Sequence, residues 1–174
     1  MCSSDLYDCG VAICRHPLAH RAAMSVQASY LEQGTGARDP MDWVPEFSRR
    51  ARGVGVYATL RSLGREGVAD LVERTARLAR RFAAALATSG RAVIVNEVVS
   101  NQVLVRWLAP DGDHGRLADT IMAGVRAEGV AFFSGTTYHG ERLMRISVSD
   151  WATDEHDVDL AVDALLRHAA RATE

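Results

Sequence analysis

Lysine is missing from this sequence: its 174 residues contain none, although arginine occurs 20 times. A lysine side chain is the amine with which proteins commonly form a Schiff base to a carbonyl group. No such amine exists here beyond the amino terminus. Chemistry that needs a lysine amine is therefore excluded for this chain by itself.

Cysteine is scarce, and its three copies, Cys2, Cys9 and Cys14, lie within the first fourteen residues. A zinc site needs a second cysteine cluster or histidines at ligand spacing, and the sequence has neither. We therefore expect no metal site, and free thiols of the kind found in a reducing cytoplasm.

Neither a large excess of charge nor a long apolar run is present. The net charge is −2 and the pI is about 6.3, whereas a nucleic-acid surface needs a basic excess. No apolar run reaches the length of a membrane span, and no secretion signal opens the chain. We expect a soluble, cytoplasmic protein with no nucleic-acid or membrane partner.

The first third of the chain is predicted to hold one strand and two helices. The short apolar run from Cys9 to Arg15 is typical of a buried strand. A helix is predicted from Leu18 to Ser29. A polar loop follows, and Pro45 suits the first turn of a second helix that runs towards Leu63.

Gly64 interrupts this pattern, and beyond it apolar residues recur at three- and four-residue steps up to Gly90. This spacing is the strongest helical signal in the chain. The remaining elements are a helix and four strands, predicted at 116–128 for the helix and at 92–95, 102–107, 131–133 and 143–149 for the strands.

A last helix is predicted after Thr153, a plausible N-cap, because Asp154 and Glu155 suit the positive end of a helix. Its candidate buried residues are Val158, Leu160, Ala161, Leu165 and Leu166. The order α-β-β-α-β-β-α indicates a small α+β layer structure.

Four blocks of sequence occur in the order and spacing of a known family. They are Tyr7–Gly10; Ser29–Leu31 with Asp42–Arg52; Ser100–Val105; and Ser134–Thr137 with Leu143–Ser149. The chain resembles the C-terminal portion of group II pyridoxal-phosphate (PLP) dependent amino-acid decarboxylases. It is most similar to bacterial members described as aromatic-L-amino-acid decarboxylase-like.

The resemblance implies a fold class of α/β and α+β. We expect a remnant of a PLP fold-type I large domain at 7–63, a connecting helix at 64–88 and a complete small α+β domain at 89–174. Residues 1–6 do not match the family, in which a His-Lys-Trp run precedes this point. We interpret them as a non-native scar, so that the chain is a fragment beginning after the cofactor lysine and inactive alone.

The resemblance also assigns roles to individual residues. Tyr30 matches a tyrosine of a mobile loop that gives a proton to the product carbanion. Ser48 and Arg49 belong to a turn that approaches the cofactor phosphate of a neighbouring subunit in a homodimer, and Tyr7 lines the partner's substrate pocket. The residues alone also allow packing or surface roles for all four.

Arg145 is the candidate for holding the substrate carboxylate, since arginine can bind a carboxylate with two parallel hydrogen bonds. Strand alternation places it on the face opposite Met144 and Ile146, where a solvated surface arginine is the alternative. Ser134 and Thr136 are expected in a glycine-containing loop, either facing the cleft or forming a plain turn.

Three functions are therefore compatible with the sequence. The first is a fragment of a PLP-dependent carboxy-lyase acting on an aromatic L-amino acid. The second is a non-catalytic module that binds a partner protein, and the third is a fragment of a PLP aminotransferase, which shares the fold. The fragment interpretations predict apolar faces that lie partly bare, because the neighbouring strands and helices are not in this chain.

Overall fold

A computed structural model describes residues 13–25, 39–46 and 50–173. The chain consists of two compact units, residues 1–63 and 64–174. In the first unit, helix α1 (Pro17–Met24) packs with a 3-10 turn (Pro40–Trp43). A proline opens each of these elements, where its missing N–H costs no hydrogen bond.

Two predictions for the first third are wrong in extent or place. Helix α1 ends at Met24 rather than Ser29, and Ser25 is already extended, while residues 26–29 lie outside the described ranges. The next helix begins at Arg52 instead of near Pro45. Val44 is extended (φ −129°, ψ 151°) because a residue before proline avoids the helical region.

The predicted strand over Cys9–Arg15 lies largely outside the described residues. Its last three residues, Ile13 to Arg15, are described and do not form a strand. Apolar side chains of the first unit are exposed, as the fragment interpretations predict: Leu18 is 82% exposed and Val54 is 67% exposed. Tyr57 and Leu60 also face solvent, so this unit leaves an apolar helix surface bare.

Helix α2 (Arg52–Thr88) contains one non-helical residue, Gly64, with φ 63° and ψ −171°. This backbone region is essentially restricted to glycine, which confirms the interruption predicted from the sequence. The segment after Gly64 buries a stripe of apolar residues at helical spacing: Leu78, Ala79, Phe82 and Leu86. Val72, one of the apolar residues in this repeating pattern, is exposed.

The second unit is built on a four-stranded antiparallel sheet with the order β1-β2-β4-β3. Its strands are β1 (Ala92–Ile94), β2 (Gln102–Trp107), β3 (Ser134–Tyr138) and β4 (Glu141–Ser147). Helices α3 (His114–Glu128) and α4 (Glu155–Ala172) complete the predicted order of elements. The prediction for β2 is confirmed residue for residue.

The β3–β4 hairpin begins later and turns more tightly than predicted. No strand covers Ala131–Phe133, and Ser134 and Thr136 lie in β3 instead of a loop. The turn uses His139 and Gly140, both with positive φ, so β4 begins at Glu141. An X-Gly pair with two positive φ angles is the favoured two-residue hairpin connection, a signal that the sequence does contain.

One face of the sheet packs on helices and forms the core of this unit. Val103, Val105 and Trp107 of β2 and Met144 and Ile146 of β4 belong to that core. Alternation leaves the odd-numbered positions of β4, from Glu141 to Ser147, on the opposite face, which we call the open face. Arg145 therefore lies on the open face, opposite the face that packs on the helices.

Helix α4 is capped by Asp154, so the predicted N-cap at Thr153 is wrong by one residue. The Asp154 carboxylate accepts from the backbone N–H of His156 (2.8 Å) and Asp157 (3.1 Å), and Asp157 caps Asp154 in return. Val158, Ala161 and Leu165 are buried and Leu166 partly so, but Leu160 is 47% exposed.

Candidate functional site

Four of the five candidate site residues, Tyr7, Tyr30, Ser48 and Arg49, lie outside the described residues. Their assignments remain predictions from the resemblance. Arg50, the next residue in the sequence, is described and exposed. The geometry of the candidate site therefore depends on the fifth residue, Arg145 of β4.

Arg145 lies in the middle of the sheet with a neighbour on each side. In the antiparallel register its partners are Leu104 of β2 and Ser134 of β3. Residues directly opposite each other in an antiparallel pair point to the same face. Arg145 therefore shares the open face with one apolar side chain and one hydroxyl.

The guanidinium of Arg145 has no ion pair or hydrogen bond with any residue of the described ranges. Its side chain is half-buried, and its Nε atom is buried without a hydrogen-bond partner among those residues. A buried donor left without a partner costs free energy. Such a group gains more from an incoming acceptor than a fully solvated arginine does.

The other two arginines of these central strands are occupied. Arg106 of β2 donates from Nε to Oε2 of Glu141 at 2.9 Å, and its Nη2 contacts the same oxygen. Arg142 pairs through Nη2 with Oδ1 of Asp119 on α3 at 2.8 Å. Arg145 thus differs from its neighbours on the sheet in having its charge available.

Two apolar side chains lie beside this charge on the open face. Leu143 lies two residues before Arg145 on the open face and is only 1% exposed, although it is not part of the main core cluster. Leu104 is half-buried on the other side. Because low-polarity surroundings strengthen the interaction of a cation with an anion, this face suits a carboxylate attached to an apolar body.

Two asparagines hold β2 in place beside β4. The Asn96 side chain accepts from the backbone N–H of Leu104 at 2.7 Å and donates to the carbonyl of Gln102 at 3.2 Å. Asn101 donates from Nδ2 to the carbonyl of Val148 at 3.0 Å. Asn101 lies in the Ser100–Val105 block that carried the resemblance. Its place in that block was the feature of the sequence that could have pointed to its structural role.

The first unit contains one buried charged group within its described residues. Asp42 is 4% exposed, and its Oδ2 accepts from Nε (2.9 Å) and Nη2 (2.7 Å) of Arg21. The pair ties the 3-10 turn to α1. Sequence reasoning did not identify it, because Arg21 and Asp42 are 21 residues apart in the sequence.

Among the described residues, Arg81, Glu128 and Asp159 have perturbed pKa values and lie on helices, while Asp111, whose pKa is lowered chiefly by a hydrogen bond from the backbone N–H of Asp113, lies in the turn before α3. A side-chain hydrogen bond from Arg81 lowers the pKa of the Asp159 carboxyl, and the same contact raises the pKa of Arg81. A hydrogen bond from His168, followed by one from Arg167, lowers the pKa of Glu128. These contacts join α2 to α4 and α3 to α4, so they serve stability.

The described residues contain neither a metal-binding cluster nor a membrane-spanning helix. No group of three or more histidine, cysteine, aspartate and glutamate side chains there could hold a metal ion. Every helix in those ranges is too short or too polar to cross a lipid bilayer.

Comparison with protein families gives one match. Residues 4–108, more than half of the chain, match the model of the pyridoxal-dependent decarboxylase conserved domain. Tryptophan decarboxylase 2 of Oryza sativa is 29% identical over 142 residues, which cover 80% of this chain and 29% of that protein. Tyrosine decarboxylase 2 of Arabidopsis thaliana is 26% identical over a region that covers 87% of this chain and 29% of that protein.

Solved structures resemble the chain over a similar share of their length. Oryza sativa TDC, crystallised with PLP and tryptamine, superimposes with a TM-score of 0.79 at 17% identity over 88% of this chain and 34% of that one. Mouse CSAD superimposes with a TM-score of 0.75 at 15% identity, over 86% of this chain and 34% of the CSAD chain. At this identity the likeness shows the fold, which confirms the expected PLP fold-type I class.

Proposed function

Since this chain belongs to the pyridoxal-dependent decarboxylase family, we propose that it forms the C-terminal part of a carboxy-lyase that removes carbon dioxide from an amino acid. An aromatic L-amino acid is the first candidate substrate, because tryptophan and tyrosine decarboxylases are among the relatives. The chain spans 29% of the length of each of these two relatives, so the activity belongs to the longer protein.

Arg145 carries this proposal. Its guanidinium has no partner in the described part of the chain and lies beside Leu104 on the open face, so it suits the carboxylate of an amino acid with an apolar side chain. Its role is to bind that carboxylate and fix its orientation before the carbon–carbon bond breaks. Orientation of this kind supplies a large part of the barrier reduction in enzymes.

The cofactor of the family is PLP, which supplies an electron sink for the bond that breaks. The types of residue at Ser48 and Arg49 suit its phosphate, since a hydroxyl and a guanidinium both donate hydrogen bonds to phosphate oxygens. The amine that holds the cofactor is not in this chain, because the chain has no lysine. We place that lysine upstream of Tyr7.

The remaining roles follow from the same proposal. Tyr30 donates the proton that replaces the departing carbon dioxide, and Tyr7 lines the substrate pocket of a second subunit in a homodimer. Residues 7–63 then belong to the large domain, 64–88 form the connecting helix, and 89–174 form the small domain. We expect the assembled enzyme to act in the cytoplasm.

The test is an assay of the full-length protein with L-tryptophan and L-tyrosine, measuring carbon dioxide and the amine. Decarboxylation with matching amounts of both products is expected. Arg145→Lys should lower kcat/KM by about 10- to 100-fold, chiefly through KM, because a charged hydrogen-bonding fork is lost. Arg142→Lys, a change at a paired arginine on the other face, should leave KM unchanged.

Two results would argue against this function. Formation of a keto acid without carbon dioxide would identify an aminotransferase. An unchanged KM in Arg145→Lys would remove Arg145 from the substrate site while leaving the reaction itself intact.

A further inference from the structure

Arg106 is a second arginine on the open face, and its contacts affect which partners Arg145 can have. By strand alternation, Arg106 lies on the same face of β2 as Leu104, the cross-strand partner of Arg145. Glu141 precedes Arg145 by four residues on β4 and also lies on this face. Among the described residues of this part of the sheet, the face thus holds two cations and one carboxylate.

The carboxylate of Glu141 is bound by Arg106 and not by Arg145. Both Nε and Nη2 of Arg106 approach Oε2 of Glu141, the former at 2.9 Å. The Arg106 side chain is 30% exposed, so this pair is screened less than a fully exposed one. Of the two cations on the open face, Arg145 is therefore the one that has no carboxylate partner in the described ranges.

Glu141 is within reach of Arg145 if it is released. Four residues of strand separate their Cα atoms by about 13 Å, and extended arginine and glutamate side chains together can span about that distance. A released Glu141 would therefore compete with any external carboxylate for Arg145.

We infer that Arg106 is a positioning residue for Arg145: by holding Glu141, it keeps the Arg145 guanidinium unpaired and open to an incoming carboxylate. The functional meaning of this inference rests on the proposed carboxylate role of Arg145. Its physical content, the choice of partner by Glu141, can be measured without cofactor or substrate.

The experiment uses the 174-residue chain labelled with nitrogen-15 and follows the Nε–H signal of Arg145, assigned by its loss in Arg145→Lys. In Arg106→Gln, this signal should move to a shift typical of an ion pair, and its hydrogen exchange should slow. The double variant Arg106→Gln with Glu141→Gln should return the signal to its original position. Glu141→Gln alone should leave it unchanged.

A matched control is Arg142 of β4, the residue after Glu141. Arg142 forms an ion pair of the same kind with Asp119, but on the helix side of the sheet. Arg142→Gln should leave the Arg145 signal in place, provided that the backbone amide spectrum shows a folded chain. This control separates a local electrostatic effect from general loosening of the hairpin.

The second readout is the affinity for 3-phenylpropionate, a carboxylate with an aromatic body. Arg106→Gln should weaken binding by about fivefold, and the double variant should restore it. An unchanged Arg145 signal in Arg106→Gln, or no recovery in the double variant, would overturn the inference. If the signal behaves as expected but the unaltered chain binds no probe, the carboxylate role of Arg145 fails and the role of Arg106 stands.

Discussion

Arg142 and Arg145 lie three residues apart on one strand, yet only one of them is paired within the described residues. Alternation along the strand separates them onto opposite faces. The face of Arg145 was predicted from the sequence, whereas Arg142 lies before the strand predicted at 143–149. The partner of each could not be predicted. Asp119 meets Arg142 only because α3 packs on the sheet, and Glu141 contacts Arg106 through the register of β2 and β4.

Gly124, at the contact between α3 and α4, also has a neighbour that could not be predicted from the sequence. A Cβ added at Gly124 would come within 2.3 Å of Nδ1 of His168, whose ring also contacts Glu128 through Nε2 at 2.9 Å. Nothing in the sequence around Gly124 indicates that a histidine ring occupies this space. The glycine is required there by close approach, since its φ is not positive.

Gly124→Ala should therefore destabilise the second unit. The methyl group would displace the His168 ring and break its contact with Glu128, at a cost of about 1–3 kcal/mol typical of an overpacked site. The free energy of unfolding in urea measures this. Gly55→Ala, at a helical glycine with open space around it, should be neutral or stabilising; equal losses in both variants would contradict the packing argument.

Among the elements, segments with a clear period were predicted well, whereas an apolar run without one was not. The segment after Gly64 and strand β2 have clear periods, and both occur as expected. The strand predicted at Ala131–Phe133 is apolar but does not pair, because Gly129 ends α3 in the left-handed conformation and residues 130–133 form the connection to the sheet. Pairing with β4 begins only at Ser134.

The N-cap of α4 is Asp154 and not the predicted Thr153, and this correction can be tested directly. Asp154 caps the helix through two backbone N–H groups, whereas Thr153 contributes only its carbonyl, which accepts from Arg74 at 3.0 Å. Asp154→Ala should cost about 0.5–2 kcal/mol of stability. Thr153→Ala should cost much less, and thermal unfolding of the two variants compares them; a larger effect at Thr153 would restore the boundary predicted from the sequence.

At the scale of the whole molecule, the two units differ in how much apolar surface they bury. Residues 64–174 enclose a continuous core around the sheet. The described helices of residues 1–63 expose Leu18, Val54, Tyr57 and Leu60. Such a surface favours association or contact with missing structure, which supports the proposal that this chain works as part of a longer protein.

Ion pairs between helices of the second unit make its stability depend on pH. The pKa of Asp159 is lowered by its hydrogen bond from Arg81, and the pKa of Glu128 is lowered chiefly by its hydrogen bond from His168. A carboxyl whose pKa is lower in the folded state stabilises the fold above its unfolded pKa of about 4, and this is lost as the pH falls further.

We therefore expect the melting temperature to be nearly constant between about pH 5 and 7 and to fall below about pH 4. Asp159→Asn should lower it at pH 7 and reduce the further loss in acid. Asp163→Asn is the control, because Asp163 is exposed and has no ion pair within the described ranges. An acid loss that is as steep in Asp159→Asn as in the unaltered chain would exclude this pair as a source.

The most direct test of the central claim, that this chain is the C-terminal part of a PLP-dependent decarboxylase, is to read the coding DNA upstream of the Tyr7 codon. The account predicts an open reading frame that continues upstream and encodes a His-Lys-Trp run a few codons before Tyr7, which would supply the missing lysine. An in-frame stop codon between Tyr7 and any such lysine would contradict it, because the chain would then have no amine to hold the cofactor.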